Sequence, residues 1–277
     1  MLKNFFRSFS GLGITKSVIG NLIFNAFIWF LKFFKIFGRV KENKIFLGSL
    51  GGFELYFLED KHPFESEVLK GQIKKGDVVL DIGAYVGYYT MLASKIVGDE
   101  GKIFAFEPDP ENFKNLEINI KKNNCHNVEL VKAAVCDKTG SMKLYLNKSD
   151  RSENTLYGSN IEDSITVKTI KLDDYFKNRD NRVNFIKIDI EGAERRAFEG
   201  MEFILEKNRQ IKIFTEINPR ALENSGFSAK DYVQLLIGMG FSLYKINESQ
   251  KKVEIISVDS LVESFSDNSY INILCAR

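Results

Sequence analysis

The sequence predicts an α/β fold: a Rossmann-like, doubly wound and mostly parallel sheet of seven principal strands, preceded by an N-terminal helical and hairpin extension. Three observations carry this. From Asp77 onward, short apolar runs alternate with stretches of helical periodicity, the pattern of a parallel sheet covered on both faces. One run, Val78-Val79-Leu80-Asp81-Ile82, ends at an acid and passes into a glycine turn that opens a helix, which is how such sheets present a ligand at their carboxyl edge. A chain of 277 residues with 44% hydrophobic and 27% charged side chains has room for one large core with appendages, and it lies outside the disordered, collagen-like and disulfide-rich classes.

The elements follow in chain order. Residues 1–44 are a basic, Phe-rich segment whose apolar residues run almost unbroken from Val18 to Phe37. At helical spacing Asn21, Asn25, Lys32, Lys35 and Arg39 fall within about 80° of one another, so one long helix with a narrow polar stripe is expected. Residues 45–76 should hold two short strands around Gly48 to Gly52, then a helix that Pro63 opens and Ile73 closes. The main domain is residues 77–277. Strands are expected at 78–82, 102–107 and 128–135, with helices ending at Val97 and running from Pro110 to about Asn123. A hairpin-like excursion at 142–146 and 165–170 flanks the polar loop Asn147 to Ser164. Then come a strand at 185–190, one helix from Glu191 to about Lys207, a strand at 211–217, a helix from Ser228 to Met239, and strands at 241–246 and 270–276.

Charge is divided unevenly. Residues 1–44 hold eight Lys or Arg and one acid, while the remainder carries a net charge of −5. A mildly acidic body lacks the basic stripe that neutralises phosphates, so no nucleic-acid partner is expected. The uncharged run Ser17 to Leu31 would rise about 22 Å as a helix, short of the roughly 30 Å hydrocarbon core. Residues 17–39 therefore suit peripheral membrane contact, with packing on the body or a homo-oligomer as the competing uses, and a span only if Lys32 and Lys35 snorkel. No Ala-x-Ala-like cleavage site follows the run. Cys125, Cys136 and Cys275 are an odd set without a CxxC pair, which points to buried thiols in a reducing, cytoplasmic setting, at the inner face of the membrane if the N-terminal segment binds there.

Three motifs carry chemistry. In Asp81-Ile82-Gly83-Ala84-Tyr85-Val86-Gly87 the glycine spacing is GxxxG with an acid two residues before it, not the GxGxxG that wraps a pyrophosphate, so a nucleoside cofactor without one, S-adenosyl-L-methionine, is favoured. Gly83 should let the backbone approach the cofactor, Gly87 should let helix and strand pack closely, and Asp81 should orient the turn. Glu107 closes the second strand, twenty residues past Gly87, where a carboxylate can accept both ribose hydroxyls. Asp109 before Pro110 reads as a helix N-cap. The run Ile186-Lys187-Ile188-Asp189-Ile190-Glu191-Gly192-Ala193-Glu194 delivers Asp189 and Glu191 to the same edge, where acids can hold an acceptor hydroxyl, take its proton or bind a divalent metal. Glu194 suits a helix N-terminus, where the macrodipole favours acids. No metal site is assigned, and neither His62 nor His126 is a persuasive base.

These motifs, together with Thr169-Ile170-Lys171-Leu172-Asp173-Asp174-Tyr175 and Glu216, resemble the FkbM family of S-adenosylmethionine-dependent methyltransferases over roughly Asp77 to Tyr244. The resemblance implies a class I methyltransferase fold and O-methylation of a hydroxyl on a sugar, glycan or small secondary metabolite. It also implies cofactor contacts at Glu65, Asp81, Gly83, Ala84, Tyr85, Gly87, Glu107, Ala133 and Ala134, with Asp189 and Glu191 nearest the transferred methyl. The family usually has Asn where this chain has Tyr85. Two other functions compete: a nucleic-acid methyltransferase, for which Asp-Pro-Pro-Tyr, Asn-Pro-Pro-Tyr and Pro-Cys are all absent, and a cofactor-binding, membrane-associated scaffold without turnover.

Overall fold

A computed structural model describes residues 18–40, 43–46, 52, 63–147, 151–158, 163–179, 182–265 and 270–277. The N-terminal helix α1 (Val18–Phe33) is shorter than the apolar run that predicts it. It ends in a Schellman turn: Lys35 adopts φ 48°, Ile36 N–H donates to Leu31 O at 3.0 Å and Lys35 N–H to Lys32 O at 3.2 Å. Phe37 and Arg39 therefore leave the helix and enter β1 (Phe37–Val40), which pairs antiparallel with β2 (Asn43–Phe46). A hairpin thus occupies 37–46, while most of Gly48 to Leu58, where two short strands are expected, lies outside the described residues. Helix α2 (Pro63–Gln72) starts at Pro63 as expected.

The main sheet is built from β3 (Val78–Ile82), β4 (Lys102–Phe106), β5 (Val128–Val131), β9 (Phe185–Ile188), β10 (Lys212–Ile217), β11 (Ser242–Asn247), β12 (Lys252–Ile255) and β13 (Ile271–Ala276). Its order is β12-β11-β13-β10-β9-β3-β4-β5, with β13 antiparallel to both neighbours and β12 an added antiparallel edge. The sheet therefore has eight strands rather than seven, because Lys252–Ile255 folds back on β11. A separate three-stranded sheet holds β6 (Ala134–Val135), β7 (Gly140–Tyr145) and β8 (Ser164–Ile170). The expected strand 128–135 is thus two strands in two sheets.

Helices cover both faces. On one side Val79, Ile103, Phe185 and Phe214 pack with Val68 and Leu69 of α2 and with Leu92, Ala93 and Val97 of α3 (Tyr88–Val97). On the other, Leu80, Ile82, Ile186, Ile188 and Ile213 pack with α6 (Glu194–Glu199), α7 (Glu202–Lys207) and α9 (Ala229–Gly238). The period of two along each strand sorts these sets, which also explains why the strands are apolar almost throughout. Helix α4 (Pro110–Lys122) follows β4, the short α5 (Leu172–Phe176) follows β8, α8 (Pro219–Asn224) follows β10, and α10 (Val258–Glu263) lies between β12 and β13.

Two local corrections have steric causes. The helix expected from Glu191 to Lys207 is broken at Gly200, where an added Cβ would lie 2.1 Å from Cys136 O, and where Asp173 accepts Phe203 N–H and Ile204 N–H to start α7 afresh. Gly87 makes room not for a strand but for α4, since a Cβ there would meet Leu116 Cδ1 at 2.5 Å. Cys125, Cys136 and Cys275 are buried free thiols.

The chain runs β3-β4-β5 outward and then returns to place β9 on the far side of β3, so β3 and β9 form the topological switch point of the sheet. There Gly83 sits at φ 81°, and a Cβ would stand 2.0 Å from Asp189 O. Gly83→Ala is expected to destabilise the protein by about 3 kcal/mol or more, combining left-handed strain with overpacking against backbone. Gly76→Ala, at φ 82° with nothing within 4 Å, should cost only about 1 to 2 kcal/mol. Urea midpoints of the two variants separate backbone strain from close approach.

Candidate active site

The site begins with strand register. Asp81 of β3 and Lys187 of β9 are direct cross-strand partners, and by the period of two both point to the face covered by α2 and α3. Phe214 of β10 is the next partner of Lys187, which puts Glu216 on the same face two residues on, and Glu216 pairs in turn with Asn272 of β13. Four adjacent strands thus place polar side chains in one row beneath α2 and α3, at the end where β3, β9 and β10 finish.

Lys187 is buried at the centre of this row. Its ammonium donates to Gly83 O at 3.1 Å, lies 3.4 Å from Asp189 Oδ2 and 3.9 Å from Asp81 Oδ1, and sits 5.5 Å from the Tyr89 ring centroid. Burial alone would lower its pKa, yet Asp189 and Asp81 outweigh burial and raise it. For Asp81 burial dominates and raises the pKa, against the opposing pull of Lys187 and the Thr90 hydroxyl, which donates to Oδ2. Asp81 shares the Lys187 ammonium with Asp189. Asp189, nearer to the ammonium and 39% exposed, is the principal counter-ion. Asp81 Oδ1 is a buried oxygen with no hydrogen-bond partner.

Glu107 sits just past β4, buried, and its two oxygens accept Asp109 N–H and Tyr85 N–H, each at 2.9 Å. Burial pushes its pKa up to about 8 despite these bonds. Gly83 N–H and Ala84 N–H both donate to Phe106 O at 3.0 Å, so the glycine turn is tied to the end of β4. Tyr85 takes φ 52°, the left-handed region where Asn is enriched and a bulky side chain is strained, yet the turn is kept. Gly87 opens α3 at φ 93°. Ala133 and Ala134 are buried between the two sheets, Ala134 pairing with Thr169.

Acids gather at the ends of β9 and β10. Single carboxylate oxygens of Asp189, Glu191 and Glu216 all lie within 4.8 Å of one another, a spacing a divalent cation could bridge. Burial, then Asp189, Glu191 and Glu194, lifts Glu216 far above the ordinary carboxylate range, so it holds a proton at neutral pH. Glu191 takes φ 52°. Glu194 is a brace: buried at the start of α6, its Oε1 accepts Ile190 N–H at 2.9 Å. Glu65 of α2 reaches the cluster by accepting Asn272 Nδ2–H at 2.6 Å, and α2 is itself held by Glu248, which accepts Phe64 N–H and Glu65 N–H at 2.9 and 3.0 Å. Tyr270 is raised to about 12 by its own burial and then by the charges of Glu216, Glu65, Asp189 and Glu191.

The polar loop between β7 and β8 bridges these two groups. Asp109 caps α4 through Oδ1, which accepts Glu111 N–H and Asn112 N–H at 2.7 and 2.9 Å. Its Oδ2 accepts Arg151 Nη2–H at 2.7 Å and Asn154 Nδ2–H at 2.9 Å. Four residues later Thr155 Oγ1 donates to Glu191 O at 2.7 Å. One short stretch of chain therefore runs from the Glu107 side to the acidic turn.

The structure thus brings together Glu65, Asp81, Gly83, Ala84, Tyr85, Glu107, Asp189 and Glu191. His62 lies outside the described residues, and His126 precedes β5 in a turn. Lys187, Glu216 as a protonated acid, Asn272 and Tyr270 are members that sequence reasoning left without a role. Two had a signal: Lys187 is a lysine inside an apolar strand two residues before the acid, and Glu216 is among the residues that carry the family resemblance.

Comparisons with known proteins bear on this edge. Residues 81–243 match the family model described as the methyltransferase FkbM domain. The hexuronic acid methyltransferase AglP of Haloferax volcanii is 25% identical over 170 residues, 61% of this chain and 65% of AglP. A protein-L-isoaspartate O-methyltransferase of Methanococcus maripaludis is 37% identical over 59 residues, 21% of this chain and 28% of that protein. This chain therefore spans less than two thirds of the length of either relative. The crystal structure of Aeropyrum pernix fibrillarin with natively bound S-adenosyl-L-methionine aligns at a TM-score of 0.49 with 14% identity, covering 86% of this chain and 84% of that one.

Lys187→Met removes the ammonium 3.9 Å from Asp81 Oδ1 and 3.4 Å from Asp189 Oδ2 and is expected to cost about 3 to 5 kcal/mol, the penalty for removing one partner of a buried ion pair. Adding Asp81→Leu should recover at least half of it. A thermal or urea double-mutant cycle measures the coupling, and additive losses would remove Lys187 from the centre of the network.

Proposed function

The FkbM match spans more than half of it, so the chain belongs to the FkbM methyltransferase family, and on that premise we propose an S-adenosylmethionine-dependent O-methyltransferase acting on a sugar hydroxyl. The observation that carries this reading is the convergence, at one switch point, of a buried ribose-type carboxylate, a glycine turn that admits no side chain, and an exposed-edge aspartate paired to a buried lysine.

The residues fit the cofactor. Glu107 keeps acceptor capacity for ribose hydroxyls at the end of β4, the Gly83–Gly87 turn lies beside it, tied to Phe106 O, and Asp81 Oδ1 lacks a donor. Glu65, Ala84, Tyr85, Ala133 and Ala134 complete the proposed contacts. When bound, the cofactor supplies an electrophilic methyl group on a cationic sulfur, and carboxylates around it favour that charge. Asp189 is the proposed base. Its Oδ2 lies 3.4 Å from the Lys187 ammonium, its side chain is 39% exposed, and it can accept the acceptor hydroxyl's proton at Oδ. Glu216 already holds a proton, so it serves as a donor to an acceptor oxygen instead, with Glu191 next in line as base.

A sugar acceptor is supported by the likeness to a hexuronic acid methyltransferase and by the loop that joins the Glu107 side to Glu191, with Arg151, Asn154 and Tyr157 as its polar and aromatic members. A neutral hydroxyl suits an edge crowded with carboxyls better than a carboxylate would.

Asp189→Asn should lower turnover roughly 100-fold or more on a glycoside panel, with cofactor affinity within about threefold of the parent. Full turnover in that variant would reject Asp189 as base. A chelator arm with Mg²⁺ added back reports whether the acids act through a metal, and calorimetric cofactor binding without turnover on sugars or nucleic acids would favour the scaffold.

Cofactor affinity should also depend on pH through Glu107. The ionised carboxylate accepts ribose hydroxyls best, and with a pKa near 8 it is mostly protonated at pH 6.5. Affinity is therefore expected to rise about five- to fifteenfold from pH 6.5 to 8, and Glu107→Gln should lose that portion of the slope. Isothermal titration at both pH values checks it.

A further inference from the structure

Helix α1 turns its apolar stripe away from the body. Ala26, Trp29, Phe30, Phe33 and Phe34 recur at i, i+3, i+4, i+7 and i+8, the spacing that normally faces a core, and all five are exposed, Trp29 and Phe33 by 63% and 66%. Leu31, on the other side, is buried. The exposed rings pack on one another, with centroids 5.4 Å apart for Trp29 and Phe33, 4.6 Å for Phe30 and Phe34, and 5.1 Å for Phe33 and Phe34, so they form one continuous aromatic surface.

This surface is tethered to the methyltransferase domain by the β1–β2 hairpin. Lys44 N–H donates to Asn123 Oδ1 at 2.8 Å and Lys44 O accepts from Asn123 Nδ2, Phe46 N–H donates to Asn119 Oδ1 at 2.8 Å, and Lys122 sits 4.9 Å over the Phe37 ring that packs against Phe46. Buried Ile45 joins the core of α3 and α4.

We propose that this aromatic surface seats the protein on an anionic membrane, with α1 lying in the headgroup plane. Charge complementarity selects that occupant. Lys32, at the flank of the helix, and Lys35 and Arg39, just past its end, are exposed, and the first acid in the chain is Glu42. A lipid surface accepts both the rings and the cations, since Trp and Phe partition to the acyl boundary while Lys and Arg meet anionic headgroups. A second copy docking symmetrically through the same stripe would bring Lys32 and Lys35 against their own counterparts with no acid on α1 to pair them. No helix among the described residues is long and apolar enough to cross a membrane.

Trp29 is the chain's single tryptophan, so its fluorescence reports on this surface alone. The full chain is titrated with vesicles of phosphatidylcholine, and with vesicles in which about one third is phosphatidylglycerol. The expected result is a blue shift of Trp29, and quenching by brominated acyl chains, with the anionic vesicles only. Lys32→Gln with Lys35→Gln should weaken partitioning on the order of tenfold or more, and Phe33→Ser with Phe34→Ser should abolish it. These side chains are exposed, so unchanged thermal midpoints will show that the variants fold. No shift with either vesicle, equal shifts with both, or a blue shift without lipid that grows with protein concentration and marks a dimer, overturns the proposal. None of these outcomes touches methyl transfer, which is assayed separately without vesicles.

Discussion

A buried ammonium among carboxylates is the constraint around which the catalytic edge is arranged. Lys187 touches the glycine turn through Gly83 O, the proposed base through Asp189 Oδ2, and the strand-end acid Asp81. Each contact joins a different part of the site, and none is available to a side chain on the opposite face of β9. The cost of burying the charge is offset only if all three partners stay in place, which couples the cofactor turn to the base. That coupling needs β3 and β9 in register, and it is at this pair that the winding of the sheet reverses.

Around that centre, stability and function pull on the backbone in opposite directions. Tyr85 and Glu191 both hold left-handed conformations, one in each turn leaving the two central strands. Such residues persist where the surroundings over-determine them. Here Tyr85 N–H is fixed by Glu107, and Glu191 O is fixed by Thr155. The loop carrying Thr155 is in turn pinned to Asp109 by Arg151 and Asn154, so an insertion outside the main sheet stabilises both turns.

The acids divide by environment rather than by type. Glu194 faces a backbone N–H and acts as a brace, Glu216 is crowded by like charge and keeps its proton, and Asp189 has a cation and solvent. Three carboxyls on one edge can thus take different roles without any change in residue chemistry. The N-terminal extension follows another logic, since its hairpin is bonded to the body while its helix keeps its rings outward.

Much of this was legible in the linear chain. Apolar runs ending in Asp81, Glu107 and Asp189, each followed by a turn and a helix, identify the parallel strands and their ligand edge, because strand burial on both faces and carboxyl-edge chemistry leave a local mark. Pro63, Pro110 and Ser228 mark helix starts for equally local reasons. What the chain alone did not settle depends on distant partners. The Asp81–Lys187 pairing needs strand order, since 106 residues separate the two and only register makes them neighbours. The break at Gly200 needs Cys136 O from another sheet, and the end of α1 at Phe33 needs a left-handed Lys35 where glycine is the usual signal. The raised pKa of Glu216 needs Asp189, Glu191 and Glu194, at the end of β9 and the start of α6, brought beside the end of β10, because electrostatics acts across space and not along the sequence.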